Sequence, residues 1–172
     1  MAAAASGCRS QTQDAPIDLL RVLPSAERRA GSALDEAVHA DTVTVAGVTR
    51  PALLMRAPSR VLWPVQLTAN RAMLRTAVAV MDDHTGATTG VVVRVGISDS
   101  RSYNELLRLP VRVEPGSGPV WQPIDVDLSA YSGWRWSLFY QPYRLHWKLI
   151  FNADASRRGR VAWAEPTIEL RR

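Results

Sequence analysis

Seven of the seventeen residues from position 131 to 147 are aromatic, although aromatic residues make up only 7% of the 172-residue chain. Flat rings offer apolar faces on which the C–H face of a sugar packs, and neighbouring Arg, His and Gln can bond its hydroxyls. Trp134, Trp136, Tyr140, Tyr143, His146 and Trp147 are the candidate ligand-binding residues on this ground. Two other readings stay open. Trp134 and Trp136 share parity, as do Trp147, Leu149 and Phe151, so one face of each strand would be buried as core. Trp, Tyr and Arg are also enriched at protein-interface hot spots, so the segment could dock a partner.

The remaining chemistry-bearing residues form weaker patterns. Asp82, Asp83 and His84 lie in a polar turn, where oxygens could contribute to a calcium site; solvated turn residues are the plainer reading, and no metal is expected. Asp125 and Asp127 are two apart on a strand and share a face, as paired carboxylates of a glycoside hydrolase must, but no third group points to a cleft. There is no Gly-x-Ser-x-Gly motif, and the glycine loop at 115–119 has Pro at both ends and no Lys, so it is no phosphate cradle. His39, His84 and His146 show no ligand spacing. Catalysis and a cofactor are not expected.

The net charge is +5, yet 20 of the 21 basic residues are Arg, Lys148 being the only lysine, and they are scattered. That is a compositional bias rather than a phosphate-binding stripe, and nucleic acid is not expected as a partner. The single cysteine, Cys8, excludes an intrachain disulfide and any zinc site with several thiolates. It follows Ala5-Ser6-Gly7, which resembles the end of a bacterial lipoprotein signal. The expectation is that the numbered start lies inside the signal, that Cys8 bears lipid, and that membrane contact comes only through that lipid; an accidental Cys in a tail is the alternative.

The elements that would position these groups are short. Residues 1–15 read as a signal remnant or disordered tail, and 16–41 as a linker with a short helix at 18–23 that Pro24 ends. From position 42 the apolar period becomes two. Val61, Trp63, Val65 and Leu67 share a face, as do Leu74, Thr76, Val78 and Val80, and Val91, Val93, Val95 and Ile97. Ile124, Val126 and Leu128 continue the pattern. Eight or nine short strands with turn signals between them, and no long amphipathic helix, predict an all-β antiparallel β-sandwich or barrel over 42–172. Pro64 suggests an edge or bulge, Pro110 interrupts a candidate strand at 106–113, and Glu165-Pro166 should stop a ladder or sit at a bulge.

Three runs add a family likeness: VAGVTRPALL at 45–54, WQPIDVDLSAYSG at 121–133 and GRVAWAEPTI at 159–168. Together they resemble the galactose-binding-like, carbohydrate-binding-module-like jelly-roll domains of secreted bacterial proteins. The resemblance covers about residues 42 to 170 and implies a jelly-roll sandwich. The sequence departs from it after Gly133, where the aromatic segment replaces a short strand. The expected role is a non-catalytic binding module, exported to the periplasm or outer cell envelope, that recognises a carbohydrate through its aromatic region. A module docking on an envelope protein is the alternative, and an enzyme a distant third.

Overall fold

The computed structural model describes residues 15–81, 90–112, 118–133, 135–136, 142–143, 147–154 and 159–172. The strands among the described residues are, in chain order, β1 (Ile17–Asp18), β2 (Glu27–Ala30), β3 (Val38–Val45), β4 (Val48–Arg56), β5 (Ser59–Val65), β6 (Arg71–Met81), β7 (Gly90–Ser98), β8 (Tyr103–Arg112), β9 (Gln122–Asp127), β10 (Arg135–Trp136), β11 (Pro142–Tyr143), β12 (Trp147–Asp154) and β13 (Arg160–Arg171). One sheet runs β3-β4-β13-β6-β9 with β1 beside β13, and the other runs β2-β5-β12-β7-β8. All their pairings are antiparallel. β10 and β11 form a separate two-stranded ribbon. The two sheets face each other as a jelly-roll β-sandwich.

Alternation decides which residues meet between the sheets. Val61, Trp63, Val65, Val91, Val93, Val95, Ile97, Trp147, Leu149 and Phe151 point inward from one sheet and meet Leu53, Met55, Leu74, Val78, Val80, Val161, Trp163 and Ile168 from the other. Phe151 stacks on Trp163, with centroids 4.3 Å apart, and meets Trp63 edge-on at 4.9 Å, so three rings bridge the layers. Burying each ring contributes roughly 2–3 kcal/mol. The other face of the first sheet carries a smaller cluster, in which Val43, Val45, Ala52, Leu54, Ala79 and Ala162 pack with Trp121.

The prolines sit where their missing donors are tolerated. Pro110 is on β8, an edge strand. Pro64 is exposed and lies beyond the four-residue reach of β2 along β5. The register of β13 against β6 shifts between Ala164 and Thr167, a bulge at Glu165-Pro166 where Glu165 has φ 45°. Before the bulge β13 pairs with β4, and after it with β1.

Residues 16–41 differ from the linker reading. The expected helix at 18–23 is instead a strand pair at Ile17–Asp18, then a turn in which the Asp18 carboxylate accepts the N–H groups of Leu20 and Arg21, then a 3-10 turn at Leu23–Ser25. A six-residue stretch is too short to sustain a helix once an Asp offers the backbone another acceptor. Leu19 is fully buried, and its carbonyl accepts the Trp63 indole N–H at 3.1 Å. Glu27–Ala30 pairs with β5, and the one α-helical turn of the segment is Leu34–Ala37. The segment is therefore stitched into both sheets.

Candidate functional site

The outward face of the second sheet holds a trough. Its side chains stand in rows set by the strand registers. One row reads Pro64, Lys148, Ser98, Tyr103; the next reads Leu62, Ile150, Gly96, Glu105; a third reads Arg60, Asn152, Arg94, Arg108. Strand β2 extends two of these rows with Glu27 and Arg29. The trough has a volume of about 440 Å³ between Arg60, Arg94, Tyr103 and Lys148. A second depression of about 270 Å³ shares Arg60 and continues over Ser59 and Asn152 towards Arg29.

Its floor is apolar where an outward face is normally polar. Leu62 and Ile150 pair across β5 and β12, and both are buried. Beside them Gly96 interrupts β7, and the vacancy of its side chain is filled by Tyr103: a Cβ on Gly96 would lie 2.3 Å from the ring's Cε2. The tyrosine ring thus lies on the sheet while 46% of the residue stays exposed. A register shift between Val95 and Gly96 places it there. The turn between β7 and β8 fixes the ring's approach. Asp99 accepts the backbone N–H groups of Arg101 and Ser102, Ser98 Oγ accepts that of Ser100, and Ser100 takes φ 75°.

The charges around the floor are ordered. The Arg94 guanidinium binds Asp154 and lies 3.5 Å from Glu105. Burial alone would lower its pKa, but the hydrogen bond and charge of Asp154, with Tyr103 and Glu105, hold it above the usual range. The Tyr103 phenol is pushed up by burial and by Glu105, against the pull of Arg94 and Arg60, so it is a neutral hydroxyl at physiological pH. Arg60 donates from Nε to Asn152 Oδ1 at 2.6 Å. Arg29 binds Glu27. Such a face can stack one ring and bond several hydroxyl or acidic oxygens around it.

The sequence-derived candidates fall differently. Trp147 is 7% exposed and packs edge-to-face on Tyr131 at 5.1 Å, so its ring belongs to the core and not to an exposed platform. Trp147, Leu149 and Phe151 alternate along β12 and all face inward. Trp136 and Tyr143 lie in the β10–β11 ribbon, where Trp136 pairs with Pro142 and Tyr143 with Arg135. Trp134, Tyr140 and His146 lie outside the described residues, as do Cys8 and Asp82, Asp83 and His84. Asp125 and Asp127 point to solvent from β9. Asp125 is 3.9 Å from Arg75, and Asp127 accepts the Ser129 N–H at 2.8 Å, capping the turn. Gly133 ends that turn at φ 86°, its N–H bonded to the Leu67 carbonyl. Among the described residues, no three His, Cys, Asp or Glu gather to hold a metal.

Tyr103, Arg60, Arg94 and Lys148 were not singled out by sequence. One signal pointed to them, the lone glycine inside the alternating run Val93-Arg94-Val95-Gly96-Ile97, which marks a bulge or a close approach.

No protein-family profile matches the chain, and no curated protein matches it. Solved structures do. A CBM61 domain in complex with β-1,4-galactotriose aligns over 90% of this chain and 94% of its own, with TM-score 0.56 and 8% identity. A cleaved adhesin domain of Lys-gingipain from Porphyromonas gingivalis aligns over 92% and 98%, with TM-score 0.59 and 13% identity. The CBM51-2 and INT domains of Clostridium perfringens ZmpB align over 92% of this chain and 32% of theirs, with TM-score 0.57 and 11% identity. At these identities the likeness is one of fold, and the fold is that of a carbohydrate-binding-module-like jelly roll.

Proposed function

We propose that the chain is a non-catalytic carbohydrate-binding domain that holds a glycan in the trough across β5, β12, β7 and β8. The observation that carries this reading is the Tyr103 ring laid on Gly96, beside an apolar floor of Leu62 and Ile150 and within a rim of hydrogen-bonding groups. A sugar presents the matching surface, an apolar face edged by hydroxyls. Two jelly rolls of the same fold have been solved in complex with ligands of this class: the CBM61 domain with β-1,4-galactotriose, and a CBM51 domain of Clostridium perfringens with methyl-galactose. Trp134, Trp136, Tyr140, Tyr143 and His146 are proposed as a further contact. Their segment leads into Trp147, one residue before Lys148 at the mouth of the trough.

Export to the cell envelope with Cys8 as a lipid-bearing residue is part of the same proposal and rests on sequence. Because β1, β2 and β3 belong to the sheets, residues 16–41 would not serve as the tether. A glycan array probed with the full chain tests the binding reading. Hits that Tyr103→Ala weakens tenfold or more, with the fold intact by circular dichroism, are the expected result. A folded sample that binds no glycan on the array refutes it.

A further inference from the structure

Four cations line the trough and the depression that continues it, and only two are neutralised. Arg94 is held by Asp154 and Glu105, and Arg29 by Glu27. Arg60 and Lys148 have no carboxylate partner among the described residues. They stand one row to either side of the Leu62–Ile150 floor, on neighbouring strands, so about 13 Å of sheet separates their rows. Both side chains are long enough to reach inward over that span. Arg60 is also oriented: its Nε bond to Asn152 Oδ1 spends one donor and leaves the two terminal nitrogens of the planar fork for a ligand. A neutral sugar would use hydroxyl-directed donors here and would leave two uncompensated cations beside it.

We infer that the trough selects an anionic saccharide, one whose ring lies on Tyr103 and whose carboxylate or sulfate is met by Arg60 and Lys148. This rests on the glycan-binding reading above and names the class of glycan. Arg60 would take the anion in a two-pronged hydrogen-bonded pair, and Lys148 would add a point charge. The phenol, kept protonated by its surroundings, can donate to a ring or acid oxygen. A floor of two aliphatic side chains and one ring suits a pyranose.

The test is calorimetry on the full chain with matched probes: tetragalacturonate against its methyl ester, and dextran sulfate oligomers against dextran oligomers. The two pairs tell a carboxylate from a sulfate ester. At least one anionic probe is expected to bind tenfold or more tighter than its neutral partner. Arg60→Gln and Lys148→Gln should each cost about tenfold on that probe and narrow its advantage over the neutral one. Arg75→Gln, the same charge change on the opposite sheet, should cost nothing. Equal binding of the acidic and neutral members of both pairs overturns the anionic preference and leaves the glycan-binding reading standing. No binding of any of the four probes overturns the preference as well, and the array then decides separately whether any glycan binds. A single-stranded oligonucleotide that binds as tightly as the saccharide, with the same loss in Arg60→Gln, also overturns it, because the trough would then be reading charge alone.

Discussion

Gly96→Ala should change sign with its neighbour. In a strand, Gly-to-Ala ordinarily stabilises by roughly 0.5–1 kcal/mol, because the unfolded chain loses freedom. Here the new Cβ would meet Tyr103 at 2.3 Å from Cε2 and 2.5 Å from Cζ and Oη, so the ring must leave the sheet. Tyr103 is 46% exposed, so about half its surface is buried. An aromatic side chain buries roughly 150–250 Å² when fully covered, so the contact at stake is on the order of 100 Å². At about 25 cal/mol/Å² it is worth at most ~2.5 kcal/mol. Net of the glycine gain, Gly96→Ala should destabilise by about 1–2 kcal/mol, a drop of several degrees in Tm. In a Tyr103→Ala background the clash is gone, and the same change should stabilise by roughly 0.5–1 kcal/mol. Urea unfolding of the two single variants, the double variant and the parent, followed by tryptophan fluorescence, measures the cycle. A coupling near ~2 kcal/mol is expected. Additive effects, with Gly96→Ala stabilising in both backgrounds, would refute the placement of the ring on the sheet and with it the floor of the site.

Three further outcomes follow from the same structure. Trp163→Ala should cost about 3–5 kcal/mol in urea unfolding, because it removes the ring stacked on Phe151 and leaves a cavity between the sheets; a loss under ~1 kcal/mol would contradict the three-ring core. Ala46 takes φ 49° in the tight turn joining β3 and β4, so Ala46→Gly should raise stability by roughly 0.5–1 kcal/mol, with unchanged Tm or a lower one counting against that geometry. Hydrogen bonds from Ser129 hold the Asp127 carboxyl below the usual carboxylate range. Its contribution is therefore present above the unfolded Asp value of about 4 and is lost as pH falls through the lower folded value; Asp127→Asn should flatten that part of the stability–pH curve, and parallel curves for the two proteins would contradict the cap.

The sandwich was legible in the sequence because its strands alternate cleanly. Val91, Val93, Val95 and Ile97 face the core as their period requires, and the bulge sits at Glu165-Pro166, where proline cannot donate to a ladder. The N-terminal strands were not legible. Glu27–Ala30 is charged and sits at a sheet edge, so it carries little alternation, and Ile17–Asp18 is too short to carry a period. The trough was hidden for a different reason. Each strand contributes one or two outward residues to it, and outward polar residues of a strand ordinarily read as solvent face. Only the registers bring Arg60, Lys148 and Tyr103 to one place. The aromatic segment drew attention by local density, yet density does not separate core from surface: Trp147 turned inward with Leu149 and Phe151.

A glycan held in the trough lies on the outward face of β5, β12, β7 and β8. The most direct measurement is an amide NMR titration of the full chain with the tightest saccharide from the array. Shift changes should cluster at Leu62, Gly96, Ser98, Tyr103 and Ile150, with few on β4, β13 and β6 of the opposite sheet. Saturable binding whose shifts avoid β7 and β8, and gather instead at β9 or the β10–β11 ribbon, would contradict it.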